Sequence, residues 1–531
     1  MIAFTSALSV ASHGEALLWI TPTVNPSVTG KDDLQQLKHL ASGVGWEFEP
    51  NAEAVAGLKR LGIKTLRCIN VDPLPGTFDK DGKFTIEKPD RLLWHLNACR
   101  DLGGKPHVII ATGLHPDLQL KEADVKDKGE SIMGMVHKAA YGPTSWPKFE
   151  NYCEAYFEYV MVTQKFPDAE FEVANEPDIG GAFHPYPPRP ANGSRALYEG
   201  YLEMYRHVAL AATHFEQTHP GLKVKLGGPA LAWAFTFRFG DLNWAEQFIR
   251  DCGERKIKLD FIGVHYYGNI SSLDGEYDAN FPPFTGMLKT TLAARDRFCP
   301  GVPIQITEWG PSYRTDNSPD ASVNANNVGA AWSAAFLNLM LQCRIDDALY
   351  LVTTDLRQQD KAGKWETVWG WPSLFLNPNA VGHAYPKAPS HVFDMIARLE
   401  GERIESTRVG TVGSFVCAAP DKGQIQALVW NYGARIPEGG VVQERATAEM
   451  VRLHVAGAPA FFGDHPVRVQ RWLVSESMSN VYHLIATGQP PDDRANLQQV
   501  QDGTMRLVEG QCELGFLMPP SSVALVTLTR Q

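Results

Sequence analysis

The chain has 531 residues, 44% of them hydrophobic and 21% charged, enough to build one large domain and a smaller one. Its formal net charge of −11 is spread along the chain; no Lys/Arg stripe is available to displace counterions, so nucleic acid and anionic membrane are not expected partners. No run of about 18 apolar residues occurs, which predicts no transmembrane helix. The first twenty residues, MIAFTSALSVASHGEALLWI, lack a basic start and carry His13 and Glu15, so they do not read as a secretory signal; location is left open, secretion included if the chain begins at a mature terminus. The eight cysteines are scattered without C-x-x-C spacing, which predicts buried free thiols and no zinc site.

In chain order, a short helical run at Asp32 to Leu40 precedes a strand-then-helix alternation. Gly43 to Phe48 is read as a strand and Ala52 to Leu61 as a helix stopped by Gly62; Lys64 to Val71 is the second strand, with the helix Pro89 to Leu102 ended by Gly103 and Gly104. Lys105 to Thr112 is a third, buried strand, Phe149 to Phe166 a helix with an aromatic face, and Phe171 to Ala174 the fourth strand. Further pairs follow: helix Ser194 to Thr218, strand Val224 to Gly228, helix Trp244 to Arg255, strand Leu259 to Tyr267, helix Thr285 to Phe298, strand Ile304 to Thr307, helix Val323 to Cys343, strand Ala348 to Thr354, and a last helix Ser390 to Leu399. Eight such units are the count of a (β/α)₈ TIM barrel, in which the loops after the strands build one site at one face. Beyond about residue 402 the period changes to short β-rich runs with no helical stretch, at Ser414 to Pro420, Ile425 to Tyr432, Met450 to Gly457, Val467 to Ser475 and Ser522 to Thr529, which predicts an accessory β-sandwich. The expected domains are residues 15–400 for the barrel and 401–531 for the sandwich, with residues 1–14 available to add a strand to the latter.

Two stretches carry chemistry. FEVANEPDIGG, Phe171 to Gly181, runs an apolar strand into an Asn-Glu-Pro turn and leaves Glu176 at the carboxyl end of the fourth strand; PIQITEWGPSY, Pro303 to Tyr313, repeats the pattern with Glu308 at the seventh. The glutamates lie 132 residues apart, so only a fold that gathers strand ends could bring them together. Paired at one site, one carboxyl could protonate a glycosidic oxygen while the other attacks or stabilises the anomeric carbon. Aromatic side chains in expected loops, Trp146, Tyr186, Tyr313, Trp365, Trp369 and Trp371, are candidates to stack on sugar rings, with Trp369 chosen as a substrate contact. Trp309, next to Glu308, should point away and pack.

Asn-Glu-Pro after one strand and Thr-Glu-Trp-Gly after a later one, on eight units, resemble clan A retaining glycoside hydrolases, and within that clan family 39, the β-xylosidases and α-L-iduronidases. Finer matches are Lys225-Leu-Gly-Gly-Pro229, Asp260-Phe-Ile-Gly-Val-His-Tyr-Tyr267, AYPKAPSHVFDMIARL from Ala384 to Leu399, LVWNY, and MPPSSVALVTL near the end. The resemblance implies an exo-acting hydrolase of a glycoside or oligosaccharide, acting on a terminal xyloside- or arabinoside-like sugar without metal or other cofactor. Glu176 would be the general acid/base, Glu308 the nucleophile, Asn175 a donor to the sugar 2-hydroxyl, and Arg67 the group that holds Glu308 charged and oriented. His265 and Tyr267 share one face of the sixth strand, since side chains two apart do; His265 would touch substrate and Tyr267 would hydrogen-bond Glu308. The chain departs from the family pattern at Leu351, where a tryptophan is common, and after Arg67, where Cys68, Ile69 and Asn70 stand in place of a histidine. A non-catalytic carbohydrate-binding or interaction protein, and an endo-acting glycanase, remain open at this level.

Overall fold

The structure, a computed structural model, describes residues 15–21, 32–46, 51–69, 73–111, 113–119, 142–179, 194–232, 243–268, 282–409, 412–432 and 447–531. Eight parallel strands close into a barrel: β1 Gly43–Trp46, β2 Thr65–Cys68, β3 Lys105–Ile110, β4 Glu170–Val173, β5 Lys225–Leu231, β6 Phe261–Tyr267, β7 Ile304–Gly310 and β8 Asp347–Tyr350, each paired with its sequence neighbours and β8 with β1. The expected barrel is therefore present. Helices on the outside and side chains on the inside bury the strands on both faces, which is why they read as apolar runs without alternation.

The surrounding helices start where the sequence supplies a cap. Asn51, Ser145, Ser194, Asn243 and Asn326 each accept a backbone N–H of the first helical turn on a side-chain oxygen. Gly62, just past helix Ala52–Arg60, takes φ +77°, a left-handed conformation that a side chain resists. Closure of the barrel demands another glycine: a Cβ on Gly45 of β1 would lie 2.0 Å from the carbonyl oxygen of Leu351. Trp309 does point outward, packing on Trp332, Phe336, Tyr350 and Phe393 between β7 and the helices Asn327–Gln342 and Ser390–Ala397.

The C-terminal part is two facing antiparallel-rich sheets around their own apolar core. One sheet has six strands, in the order Glu402–Arg403, Gly413–Ala419, Gln424–Asn431, Ser522–Arg530, Val467–Val474 and Gln498–Met505. The other has four: Ser406–Val409, Glu15–Ile20, Glu449–Val455 and Cys512–Met518. Glu15–Ile20, counted by sequence with the barrel, thus belongs to the sandwich, where it pairs parallel to Glu449–Val455 and antiparallel to Ser406–Val409. Its alternation fits one buried face: Ala16, Leu18 and Ile20 enter the core. Two short helices, Ala458–Phe462 and Val481–Ala486, interrupt a region expected to have none. Phe415, Leu428, Trp430, Val523 and Leu525 of the six-stranded sheet join the barrel's core, so the two parts pack through continuous apolar contact. No described helix is long and apolar enough to cross a membrane.

Candidate active site

Glu176 reaches its place through a stitched turn. After β4, Ala174 (φ +64°) and Glu176 (φ +49°) adopt the left-handed region, which costs a non-glycine residue on the order of 1 kcal/mol each and persists only where neighbours enforce it. The neighbours here are strand ends. The Ala174 N–H donates to the carbonyl of Ile110 on β3, the Glu176 N–H to that of Ala230 on β5, and Asp178 accepts from the Ala232 N–H. Glu308 arrives from the other side of the barrel within β7, where the register slips between Ile306 and Glu308; such a bulge re-aims a side chain.

The two glutamates meet at His265 of β6. One carboxylate oxygen of each and a ring nitrogen of His265 all lie within 4.8 Å of one another. Nδ1 of His265 hydrogen-bonds Oε1 of Glu176 at 3.1 Å and sits 2.6 Å from Oε2 of Glu308, the latter as a close charge contact outside hydrogen-bond alignment. Tyr267, two residues on, faces the same carboxylate, and its hydroxyl favours the ionised form of Glu308. Asn175 Oδ1 accepts from Arg67 Nη2 at 2.8 Å, which turns its amide NH₂ away from Arg67.

Arg67 is fully buried, and beside Glu308 it has a second carboxylate partner, Glu172, that the sequence did not name. Nε and Nη2 both donate to Oε2 of Glu172 on β4, at 2.9 and 2.7 Å, whereas Nη1 lies 3.8 Å from Glu308 and makes no hydrogen bond. The reason is reach: Glu172 and Arg67 both point into the barrel a layer below the carboxylate pair. Glu172, Glu170 and His107, which also line the interior, were not singled out by sequence, although charged residues inside apolar strand runs signal buried partners.

Charge sets the ionisation of the pair. Burial opposes the carboxylate of Glu308, but the His265 and Arg67 cations and the Tyr267 hydroxyl outweigh it and hold its pKa below the usual carboxylate value. Burial likewise opposes a charged His265, yet the Glu308 charge and the contact of its ring nitrogen with the carboxylates of Glu176 and Glu308 raise its pKa to about 9. A raised pKa contributes stability that is complete below the unfolded value of about 6.5 and disappears as pH rises through about 9, here about 3 kcal/mol in all. Urea unfolding of wild type and His265→Gln between pH 6 and 9.5 should show that their stability difference shrinks across this window; a constant difference would rule the charged ring out.

Glu176, His265 and Glu308 have the donor types of a metal site. The Arg67 cation 3.3 Å from Nε2 of His265 opposes a divalent ion there.

Of the expected sugar-stacking aromatics, Trp369 has one neighbour from the accessory part. Its ring packs on Tyr482, centroids 5.0 Å apart, beside Leu376, Val481 and Leu484 at the accessory helix Val481–Ala486. Its backbone explains this: the carbonyls of Trp369 and Trp371 are drawn to Nζ of the buried Lys387. Trp146 stacks on His207, Trp365 lies under the Arg357 guanidinium, and Tyr313 is exposed. Tyr186, the Pro-rich loop 184–190, and Asn192 and Asn269 of the two N-x-S triplets lie outside the described residues.

The sequence profile of glycosyl hydrolases family 39 matches residues 163–502, well over half the chain, and spans β4 to β8 with both glutamates. The chain belongs to this family. Its relatives include a protein named beta-xylosidase from Geobacillus stearothermophilus, 24% identical over 376 residues that cover 67% of this chain and 65% of that one. A second beta-xylosidase, from Caldicellulosiruptor saccharolyticus, is 23% identical over 44% of this chain and 42% of its own length; the matches thus span less than two thirds of either relative. Among solved structures, the GH39 enzyme from Xanthomonas axonopodis pv. citri superposes with a TM-score of 0.72 at 16% identity, covering 99% of this chain and 100% of that one. A monomeric beta-xylosidase from Caulobacter crescentus CB15 gives 0.70 at 16% identity over 97% and 99%. This family 39 chain therefore shares the whole two-part fold with proteins of little sequence identity.

Proposed function

We propose that this chain is a glycosidase, retaining and exo-acting, and that it removes a terminal xyloside- or arabinoside-like sugar by double displacement. The observation that carries the mechanism is the short gap between the glutamates. Retaining enzymes set their carboxyl groups about 5 to 5.5 Å apart, inverting ones about 6.5 to 9.5 Å to admit a water molecule; here oxygens of Glu176 and Glu308 approach within 4.8 Å.

In the first step Glu308, ionised, attacks the anomeric carbon as the bond to the leaving oxygen breaks, and Glu176 gives that oxygen its proton. The product is a glycosyl ester on Glu308 and the free aglycone. In the second step Glu176, now a carboxylate, takes a proton from water, whose oxygen attacks the anomeric carbon and frees Glu308. Asn175, its carbonyl fixed by Arg67, offers its NH₂ to the sugar 2-hydroxyl, a bond that strengthens as positive charge develops at the ring. His265 and Tyr267 hold the ionised nucleophile in line. The two relatives named beta-xylosidase support the pentose, and exo action goes with it.

Hydrolysis of 4-nitrophenyl β-D-xyloside, α-L-arabinosides, β-D-glucoside, β-D-galactoside and α-L-iduronide, followed by proton NMR from the first seconds, tests both parts. The first-formed sugar should have the anomeric configuration of its substrate. The opposite anomer would exclude double displacement, and cleavage of the iduronide or a hexoside alone would exclude the pentose.

A further inference from the structure

Beneath the carboxylate pair, charged side chains of alternating sign run through the barrel. Arg67 of β2 is held by Glu172 of β4; Glu172 Oε2 lies 3.4 Å from Nε2 of His107 on β3; His107 Nδ1 lies 3.3 Å from Glu170; and Glu170 is paired at 2.7 Å with Lys105, itself 3.6 Å from Asp347 of β8. A buried guanidinium needs a counterion. Two carboxylates share this one, and the distances show that Glu172 takes its hydrogen bonds while Glu308 has only a charge contact at 3.8 Å.

We infer that Glu172 is a positioning residue for the nucleophile: by clamping Arg67 from below, it holds the guanidinium off Glu308 and balances its charge. The inference rests on the two-glutamate mechanism proposed above. Without the clamp, Arg67 would be free to turn its fork onto Glu308, and charge-assisted hydrogen bonds would then occupy the oxygens that must attack the sugar. With it, Nη1 remains without a hydrogen-bond partner and Glu308 feels the cation only as charge. The packing around Glu172 admits little movement. A Cβ at Gly263 of β6 would come within 2.4 Å of its Oε1, so that strand presses on the carboxylate as bare backbone. The charged or titratable groups that face Glu172 are Arg67, His107, His265 and, from the helix Arg195–Thr218, Tyr201. Those that face Glu308 are Arg67, His265, Tyr267 and Glu176.

Glu172→Gln keeps the shape and an acceptor for Arg67 but removes a buried negative charge. Every nearby proton is then easier to lose, so both limbs of the kcat/KM profile against pH should move to lower pH by about one unit, while kcat at the optimum falls about tenfold or more with little change in KM. Glu172→Asp keeps the charge on a shorter arm; it should restore the limbs and leave kcat low. A residue that only stabilises the fold would lower the amplitude without moving the limbs, and that result, or unchanged kcat in a folded Glu172→Gln protein, overturns the inference. If Glu172→Gln does not fold, His107→Gln is read instead: loss of a positive charge on the far side of Glu172 should shift the limbs to higher pH, and unmoved limbs again overturn it. Azide rescue of Glu308→Gly, run in parallel on the glycoside that wild type cleaves, separates the two readings. Rescue with an unaffected Glu172→Gln sinks the clamp alone, whereas an inactive wild type sinks both.

Discussion

Glu308→Gly should lose hydrolysis of its aryl glycoside by a factor on the order of 10⁵, and sodium azide should restore turnover while yielding a glycosyl azide of inverted anomeric configuration. The size follows from the double displacement: without a carboxylate at this position no ester can form, and what remains is the proton from Glu176 and the shape of the site. Azide fits the vacated space as a small anion beside Arg67 and His265, and attacks from the same side. The fold should survive, because the buried guanidinium of Arg67 keeps its counterion in Glu172. Glu308→Gln, isosteric and uncharged, should be equally inactive and not rescued, since the amide fills the space azide would use. Circular dichroism of both variants should overlay wild type. Full activity in either variant would remove Glu308 from the mechanism, and an azide adduct of retained configuration would show that attack does not come from its side of the ring.

The second large effect lies beyond β8. Lys387 and Asp355 are both fully buried, 2.8 Å apart, and burial pushes the lysine pKa down and the aspartic acid pKa up despite their pairing. Nζ also donates to Oγ of Ser373 and the carbonyls of Trp369 and Trp371, and Asp355 accepts from Ser373 and Thr367, so one ion pair pins residues 355–377 over the strand ends. Lys387→Met should cost about 3 to 5 kcal/mol in urea unfolding, the usual penalty for leaving a buried charge unpaired. Lys387→Met/Asp355→Leu should recover part of that loss, because the desolvated carboxylate is gone, but not the loop geometry. Its KM should stay raised, since Pro372 packs 3.2 Å from where a Cβ of Gly310 would lie, at the end of the nucleophile's strand. A single substitution costing under about 1 kcal/mol would show that the pair is solvated in solution.

Much of this was legible locally. Eight strand-helix units were visible because a buried parallel strand and a capped helix are each written within ten or twenty consecutive residues, as in KPHVIIAT or in Asn51 followed by its helix. Glu176 and Glu308 could be singled out because a strand delivers its last side chain to a fixed place, and His265 with Tyr267 because the strand period is two. Three things could not be read that way. The hydrogen bonds of Arg67 go to Glu172, 105 residues along the chain, and leave Glu308 a charge contact. Trp369 is turned toward the accessory helix by a lysine 18 residues later that gathers its carbonyl. Glu15–Ile20 looks like any apolar strand, and only pairing with Ser406–Val409 and Glu449–Val455 decides that it belongs to the sandwich. Sequence alone determined the barrel, its two glutamates and the family resemblance, because periodicity, turns and strand ends are short-range properties. The tertiary structure decided which buried charge meets which, since Coulomb energy and desolvation depend on distances between strands that sequence order does not contain.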